Sequence, residues 1–410
     1  MRKVLIVSLA FPPVNASGCV RVGKLAKYLP EFGWEPIVLT ADRSLHPSLT
    51  LPVETTASNI INVSQASRSM NIINYVNKLP LLKAVLPHPI TWYLPALKAG
   101  HKIMMHYKID ALFSSYYPCA SHFIASRLQK QAGIPWIAEF RDLWSQNPYH
   151  SQSNISCFLE KKTEKKIMRR SCLLISVSEG LAKQLHELHS KETSVIPNGF
   201  DEEDYLDNVP LTTKFTITYT GNIYRGKRDP TSLFEAAAQL AQEGIISSSN
   251  FEMRFFGSNV VRILSPLTRK YSIQSLVRLE NTIPFRESIK RQKESTILLL
   301  LSWNDPRDKD TYTGKVFEYI GAKRPILAIA YKTGVIDELL QETKTGVLAN
   351  DARTIGDILL RWLTEWQEHG KITSCWNPDA TSISKYTRRE GTRKLACLLN
   401  EQCLLSNRGS

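Results

Sequence analysis

Four stretches of the sequence place charged residues where an apolar strand ends and a helix begins. In YTGKVFEYIGAKRPILAIAY, Thr313, Gly314 and Lys315 form a first helical turn, and Glu318 follows three residues after Lys315 on the same face. First-turn amides lack intrahelical partners and carry partial positive charge, so they suit an anion such as a phosphate. A carboxylate beside a phosphate is repulsive unless it binds something else, and vicinal ribose hydroxyls are its natural partner. In TGNIYRGKRDPTSL, Gly221 and Asn222 end a strand, and Arg225, Lys227 and Arg228 stand just ahead of a helix at Asp229-Pro230. That is a good place for a diphosphate. In WIAEFRDLWSQNP, Arg141 and Asp142 leave a buried strand together. Asp142 could act as a base or orient a hydroxyl, and Arg141 could hold a carboxylate or phosphate; a salt bridge between the two is the plainer alternative. In AFPPVNASGCVRVGKLAKYL, a loop containing Gly18 and leading to Arg21 would let a ligand approach the backbone at a helix entrance.

Other motifs fall short. The fingerprint G-x-G-x-x-G is absent, and a P-loop reading of TGK fails because Lys309 stands where a glycine is needed. Asp308 and Asp310 make an Asp-x-Asp pair that reads as loop charge. His186 and His189 lack a third ligand and read as surface residues. No cysteine pair has metal-ligand spacing, and the seven cysteines read as reduced structural thiols.

The elements that must position these groups are legible. Apolar runs at 3–10, 34–41, 110–116, 135–142, 172–179 and 193–201 alternate with amphipathic helices such as 22–33, 120–133, 157–170 and 180–190. After a polar linker at 202–214 the pattern restarts, with strands at 215–223, 251–258, 277–284, 295–303, 324–331 and 345–351. Short apolar strands separated by helices imply parallel sheets covered on both faces. In such sheets ligands collect beyond the carboxyl ends of the strands, where all four stretches lie. A final helix is expected over 382–401.

Bulk properties agree with a folded protein of two domains. The 410 residues are 43% hydrophobic and 22% charged. The balance of 52 Lys and Arg against 38 Asp and Glu, 52 − 38 = +14, favours anionic partners or is solvated surface. Nucleic acid is not favoured, because no aromatic-basic platform appears. The apolar start MRKVLIVSLAFPP is short and ends in Pro-Pro, which fits a first core strand rather than a signal peptide. No apolar run approaches the ~18 residues of a membrane span. Residues 66–108 mix Leu, Ile, Trp and Met with Lys, Arg and His and hold no acidic residue. They could form a surface for an anionic membrane, or a helical hairpin packed on the first domain.

Taken in order, LAKYLPEFGW, PWIAEFRDLW, VSEGLA, VIPNGFD, YTGNIYRGKRDP and YTGKVFEYIGAKRPILAI resemble GT-B-fold glycosyltransferases of family 4, retaining transferases of bacterial polysaccharide synthesis. The resemblance spans most of the chain except residues 42–108. It implies an α/β fold of two Rossmann-like doubly wound domains facing across a cleft. Residues 1–200 would bind the acceptor, with 66–108 as a docking insertion. Residues 201–380 would bind the nucleotide sugar, and 381–410 would be a terminal helix crossing back to the first domain. It implies a hexosyl transfer from a nucleoside-diphosphate sugar to a lipid-linked or glycan acceptor, with no cofactor and no metal, in the cytoplasm or on the inner face of the plasma membrane. The family's basic catalytic pair falls near Arg225 and Lys227–Arg228. Its E-x7-E motif falls on Asp310 and Glu318, with Asp in the first place. Arg141 stands where many members have a histidine, which leaves Asp142 as the acceptor-activating alternative. A sugar-nucleotide 2-epimerase and a non-catalytic nucleotide-sugar-binding subunit are the competing readings.

Overall fold

The computed structural model describes residues 1–42, 49–65, 80–147 and 153–408. The chain divides into two compact units: Met1–Asn198 together with Arg388–Ser410, and Gly199–Thr387.

The first unit is built on a seven-stranded parallel sheet in the order β3-β2-β1-β4-β5-β6-β7. Its strands are β1 Arg2–Val7, β2 Trp34–Ala41, β3 Ile60–Val63, β4 Ala111–Tyr116, β5 Trp136–Phe140, β6 Leu173–Ser176 and β7 Thr193–Val195. Its helices are α1 Ser17–Tyr28, α2 Pro80–Val85, α3 Ile90–His106, α4 Ala120–Ala132, α5 Asn154–Met168 and α6 Glu179–His189. Alternate side chains of a strand point to opposite faces, so an all-apolar strand needs cover on both. Accordingly Leu5 and Val7 pack in one layer with Trp92 and Ala96 of α3 and Ile124 and Leu128 of α4. Val4 and Ile6 pack in the other with Val22 and Leu25 of α1.

The second unit holds six parallel strands in the order β10-β9-β8-β11-β12-β13. They are β8 Phe215–Thr220, β9 Phe251–Phe256, β10 Val277–Glu280, β11 Ile297–Leu301, β12 Ile326–Ile329 and β13 Gly346–Leu348. The helices are α7 Thr231–Gln242, α8 Val260–Lys270, α9 Phe285–Lys293, α10 Gly314–Ala322, α11 Val335–Thr343, α12 Ala352–His369 and α13 Ala380–Ser384. The five residues of β11 are all buried, each worth roughly 1.5–3 kcal/mol of burial. Ile297, Leu299 and Leu301 face the layer containing Leu233 of α7 and Leu359 of α12. Leu298 and Leu300 face Val316, Phe317 and Ile320 of α10. That packing fixes α10 on the sheet and sets where its first turn begins.

Three expectations need correcting. The terminal helix does not run unbroken over 382–401: α13 closes the second unit, and α14 Arg388–Arg408 packs Leu395, Ala396 and Leu399 into the first. The chain turns between them where the Phe200 amide donates to the Tyr386 carbonyl at 3.1 Å. Of the region 66–108, residues 66–79 lie outside the described residues. Within the rest, α3 buries Trp92, Ala96, Gly100 and Ile103, so it is a core helix rather than a free docking element. Strand β3 was not anticipated, because Ile60–Val63 is short and only half-buried. Among the described residues no helix is long and apolar enough to cross a membrane. All seven cysteines are free thiols.

Candidate functional site

Strand order reverses direction between β8 and β11 in the second unit. The loops leaving those two strands therefore diverge and open a crevice at the sheet's carboxyl edge. One loop carries Gly221 to Pro230 and the other Ser302 to Thr313.

Three contacts pull the head of α10 onto the end of β8. The Thr220 amide donates to the Tyr319 hydroxyl at 3.2 Å. Gln292 of α9 donates to Thr220 Oγ1 and to Glu318 Oε2, both at 3.2 Å. Gly221, at φ 148°, lies so close to both that an added Cβ would be 3.2 Å from Tyr219 Oη and 3.6 Å from Lys315 Cε. A side chain there would be strained and would press on the Tyr219 hydroxyl. Thr313 caps α10 in extended conformation without a side-chain bond. An added Cβ at Gly314 would meet nothing within 4 Å, so the first-turn amides are approachable.

Lys315 pairs with Glu318 at 2.9 Å, with the two side chains 29% and 25% exposed. The repulsion expected between Glu318 and a bound phosphate is thus offset by the lysine between them. Arg228 lies over the Tyr224 ring at 4.7 Å. Burial pushes the Tyr219 hydroxyl up, and Arg228 opposes this with its charge and a hydrogen bond. Arg228, Tyr219, Gly221, Lys315 and Glu318 therefore form one neighbourhood. Lys227 sits over Trp303 at 4.4 Å, and Arg307 covers the same ring at 4.3 Å. This stack bridges the two loops that flank the crevice. Asp305 is held down at about 2 by its hydrogen bonds with Arg307.

Other expected contacts resolve differently. Arg225 is exposed and has no hydrogen bond or ion pair among the described residues, whereas Lys227 and Arg228 rest on aromatic rings. The Asn222 side-chain oxygen accepts from the Ser258 amide and hydroxyl at 3.0 and 2.8 Å, so it braces the turn. Asp308 is buried and accepts from Ser302 Oγ at 2.8 Å, a structural role for half of the Asp-x-Asp pair. Asp310 is half-buried in the same loop.

The first unit handles its charges differently. Arg21 is 2% exposed. It donates to Glu139 Oε1 at 2.8 Å and to the carbonyls of Pro197 and Ile196 at 2.8 and 2.9 Å. Arg21 is thus an internal brace, not an acceptor or phosphate ligand. Glu139 also accepts from Ser115 Oγ at 2.7 Å, and Ser115 accepts from Arg141 Nε at 3.1 Å. The Arg141 guanidinium fills the space over Gly18: an added Cβ would fall 2.0 Å from Nη1. Gly18 therefore admits a protein side chain where a ligand was expected. Asp142 is exposed beside it and makes no ion pair with Arg141.

Two histidines behind this edge have enclosed side chains. His189, expected on the surface, donates from Nε2 to Glu164 Oε1 at 3.0 Å with both side chains almost fully enclosed. Glu164 and its helix neighbour Glu160 also accept from the Ser145 amide and Trp144 Nε1, both at 2.9 Å. These buried glutamates hold the loop leaving β5. His122 bonds Ser114 through Nδ1 at 2.8 Å. Burial, with the charges of His189 and Arg141, pushes it down to about 3.

Residues 20–204 match the profile of Glycosyltransferase Family 4. Several solved structures are similar to the chain in fold. The chain has the GT-B fold. Anabaena HepE, solved in complex with UDP, has a TM-score of 0.64 at 13% identity, over 98% of this chain and 100% of that one. A glycosyltransferase from Rickettsia africae has a TM-score of 0.60 at 16% identity, over 98% of each chain. A Listeria monocytogenes protein described as a candidate UDP-N-acetylglucosamine 2-epimerase has a TM-score of 0.51 at 12% identity, over 96% of this chain and 94% of that one. At these identities the likeness concerns the fold. Among curated proteins none matches the sequence significantly.

Trp303, Tyr219, Tyr319 and Gln292 join the candidate site without having been singled out. Tyr219 and Tyr319 look in sequence like ordinary core aromatics. Trp303 could have been flagged as an aromatic at a strand exit between basic loops. Gln292 lies in the polar run KRQKES and carries no sequence signal; only its burial marks it.

Proposed function

We propose that the protein transfers a sugar, with retention at the anomeric carbon, from a nucleoside-diphosphate sugar to a lipid-linked or oligosaccharide acceptor. Uridine is the first base to test, given the UDP bound by HepE. In this reading the diphosphate lies against Lys315, the Gly314 and Lys315 amides, Lys227 and Arg228. Glu318 accepts from the ribose hydroxyls, and Lys315 screens it from the phosphates. As the bond between the anomeric carbon and the diphosphate oxygen breaks, its electron pair leaves with the diphosphate. The cations and helix amides stabilise that developing charge, and no metal ion is required. The acceptor oxygen bonds to the same carbon from the leaving-group face, and its proton passes to the departing diphosphate or to a carboxylate. Asp142, exposed at the β5 exit, is the candidate for that base.

The supporting observation is the single glycine at 221, which holds the Arg228–Tyr219 side and the Lys315–Glu318 side of the cluster together. Thermal-shift and calorimetric titration with UDP-, GDP- and dTDP-sugars, with chelator present, tests it. We expect one nucleotide series to bind and Lys315→Ala to lose it. A protein that ignores all three overturns the reading. Incubation with donor alone separates the epimerase alternative, which would yield a 2-epimer without acceptor.

A further inference from the structure

The second unit has a pocket at the end of its sheet opposite the crevice. Lys293, Arg324 and Thr345 stand just ahead of β11, β12 and β13, at the amino edge of the sheet. Together with the short helical turn Glu202–Tyr205 and residues 376–384 they line a cavity of about 670 Å³. Such a volume takes a small organic ligand. Helix α10 links the two places. Its first turn is at the crevice, and Ile320, Gly321 and Lys323 at its far end line the pocket. About 13 Å of helix lies between them.

Part of the lining is apolar: Phe200, Tyr205, Leu206, Trp376 and Ile383. Phe200 and Tyr205 meet edge to face at 6.2 Å. Gly321 brings both rings onto α10, since an added Cβ would fall 2.7 Å from Tyr205 Cε2 and 2.9 Å from Phe200 Cδ2. Trp376 is half-buried.

The rest of the lining holds three cations, Lys293, Lys323 and Arg324, against one carboxylate, Glu202. Helices α9 and α10 both end here, and helix ends favour cations. That accounts for part of the bonding. Lys293 Nζ donates to the Tyr205 carbonyl at 2.6 Å and to the Asp207 carbonyl, and Arg324 Nε donates to the Lys293 carbonyl at 2.8 Å. It does not account for the Lys323 ammonium and Arg324 Nη2, which have no hydrogen bond among the described residues. None of the three cations makes an ion pair there either. Burial pushes the Arg324 guanidinium down. Burial and the charge of Arg324 push the Lys293 ammonium down, by more than Asp207 raises it. Crowded, partly buried cations without a paired carboxylate are stabilised by an incoming anion.

We propose that this pocket binds a small phosphate monoester with an aromatic body. The ring contacts Trp376 and Tyr205, and the phosphate takes the free edge of Arg324 and the Lys323 ammonium. A phosphate suits three cations better than a carboxylate, because it brings more charge and three acceptor oxygens. The proposal does not rest on the sugar-transfer reading: every residue in it lies outside the crevice, and binding is measured without a donor.

Calorimetric titration of the full-length protein with naphthyl phosphate tests it, beside naphthoate, naphthol and inorganic phosphate. Naphthyl phosphate is expected to bind at a single site, naphthoate roughly tenfold more weakly, and naphthol and inorganic phosphate roughly hundredfold more weakly. Lys323→Gln with Arg324→Gln should weaken naphthyl phosphate roughly hundredfold, and Trp376→Leu roughly tenfold. Lys227→Ala with Arg228→Ala, in the crevice, should bind it like the parent. Lys323 is exposed, so Lys323→Gln alone, with a loss of roughly tenfold, serves if Arg324→Gln impairs folding. The proposal is overturned if naphthyl phosphate does not bind, or if naphthol or inorganic phosphate binds as tightly. It is overturned equally if the pocket variants bind like the parent or the crevice variant loses the ligand.

Discussion

Arg21, beside the exit of β1, is enclosed between Glu139 and backbone carbonyls, whereas Lys315, beyond β11, is 29% exposed and shares one carboxylate. Both lie near the point where strand order reverses in their own sheet. The first unit uses its cations at that edge to tie β1, β5 and the end of β7 together, and it fills the space over Gly18 with Arg141. The second leaves its cations on aromatic faces, Lys227 on Trp303 and Arg228 on Tyr224. A cation with all its donors satisfied is part of the fold. A half-solvated cation on a ring keeps most of its field for a ligand. The same topology thus serves as a clamp in one unit and, in the proposed reading, as an anion site in the other.

This contrast can be broken by substitution. Arg21→Leu leaves Glu139 buried without its ion-pair partner and should lower stability by about 3–5 kcal/mol, read by chemical unfolding. Lys227→Ala with Arg228→Ala should lower turnover roughly a hundred- to a thousandfold with stability changed by less than about 1 kcal/mol. If that pair unfolds the protein instead, the second unit's cations are structural too.

His122 gives the first unit a pH signature. Its folded value of about 3 lies below the ordinary 6.5. The unfolded chain therefore takes up the proton first as pH falls, and the stability from the neutral ring, complete above 6.5, is lost on the way down. The loss should be on the order of 2–3 kcal/mol between about pH 6.5 and about pH 4.5, and His122→Gln should flatten the profile. In the second unit Gly221→Ala should cost about 1–2 kcal/mol of stability and weaken nucleotide binding together, through strained backbone and a displaced Tyr219 hydroxyl. Trp303→Leu should have the smallest effect, a few-fold loss of affinity worth about 1 kcal/mol, by freeing Lys227.

Much of this was legible beforehand. The restart of the strand pattern near 215, the six strands of the second unit and the helix entrance at Thr313–Lys315 follow from apolar runs and helix-entrance residues. Those are local signals. Arg21, Gly18 and His189 were misread because nothing local distinguishes a buried cation from an exposed one. The partner of Arg21 lies 118 positions away, and that of His189 lies 25 away on another helix. The buried glutamates of α5 were hidden for the same reason. They look like surface charge until the β5 exit loop is seen to donate to them.

By itself the sequence determined which residues form strands and helices, because burial on both faces of a parallel sheet demands unbroken apolar runs at fixed spacing. It also determined that positive charge gathers at strand exits. Only the tertiary structure decided which of those charges are consumed. A hydrogen bond or ion pair depends on where distant segments meet, and that is set by strand order and packing rather than by neighbours along the chain.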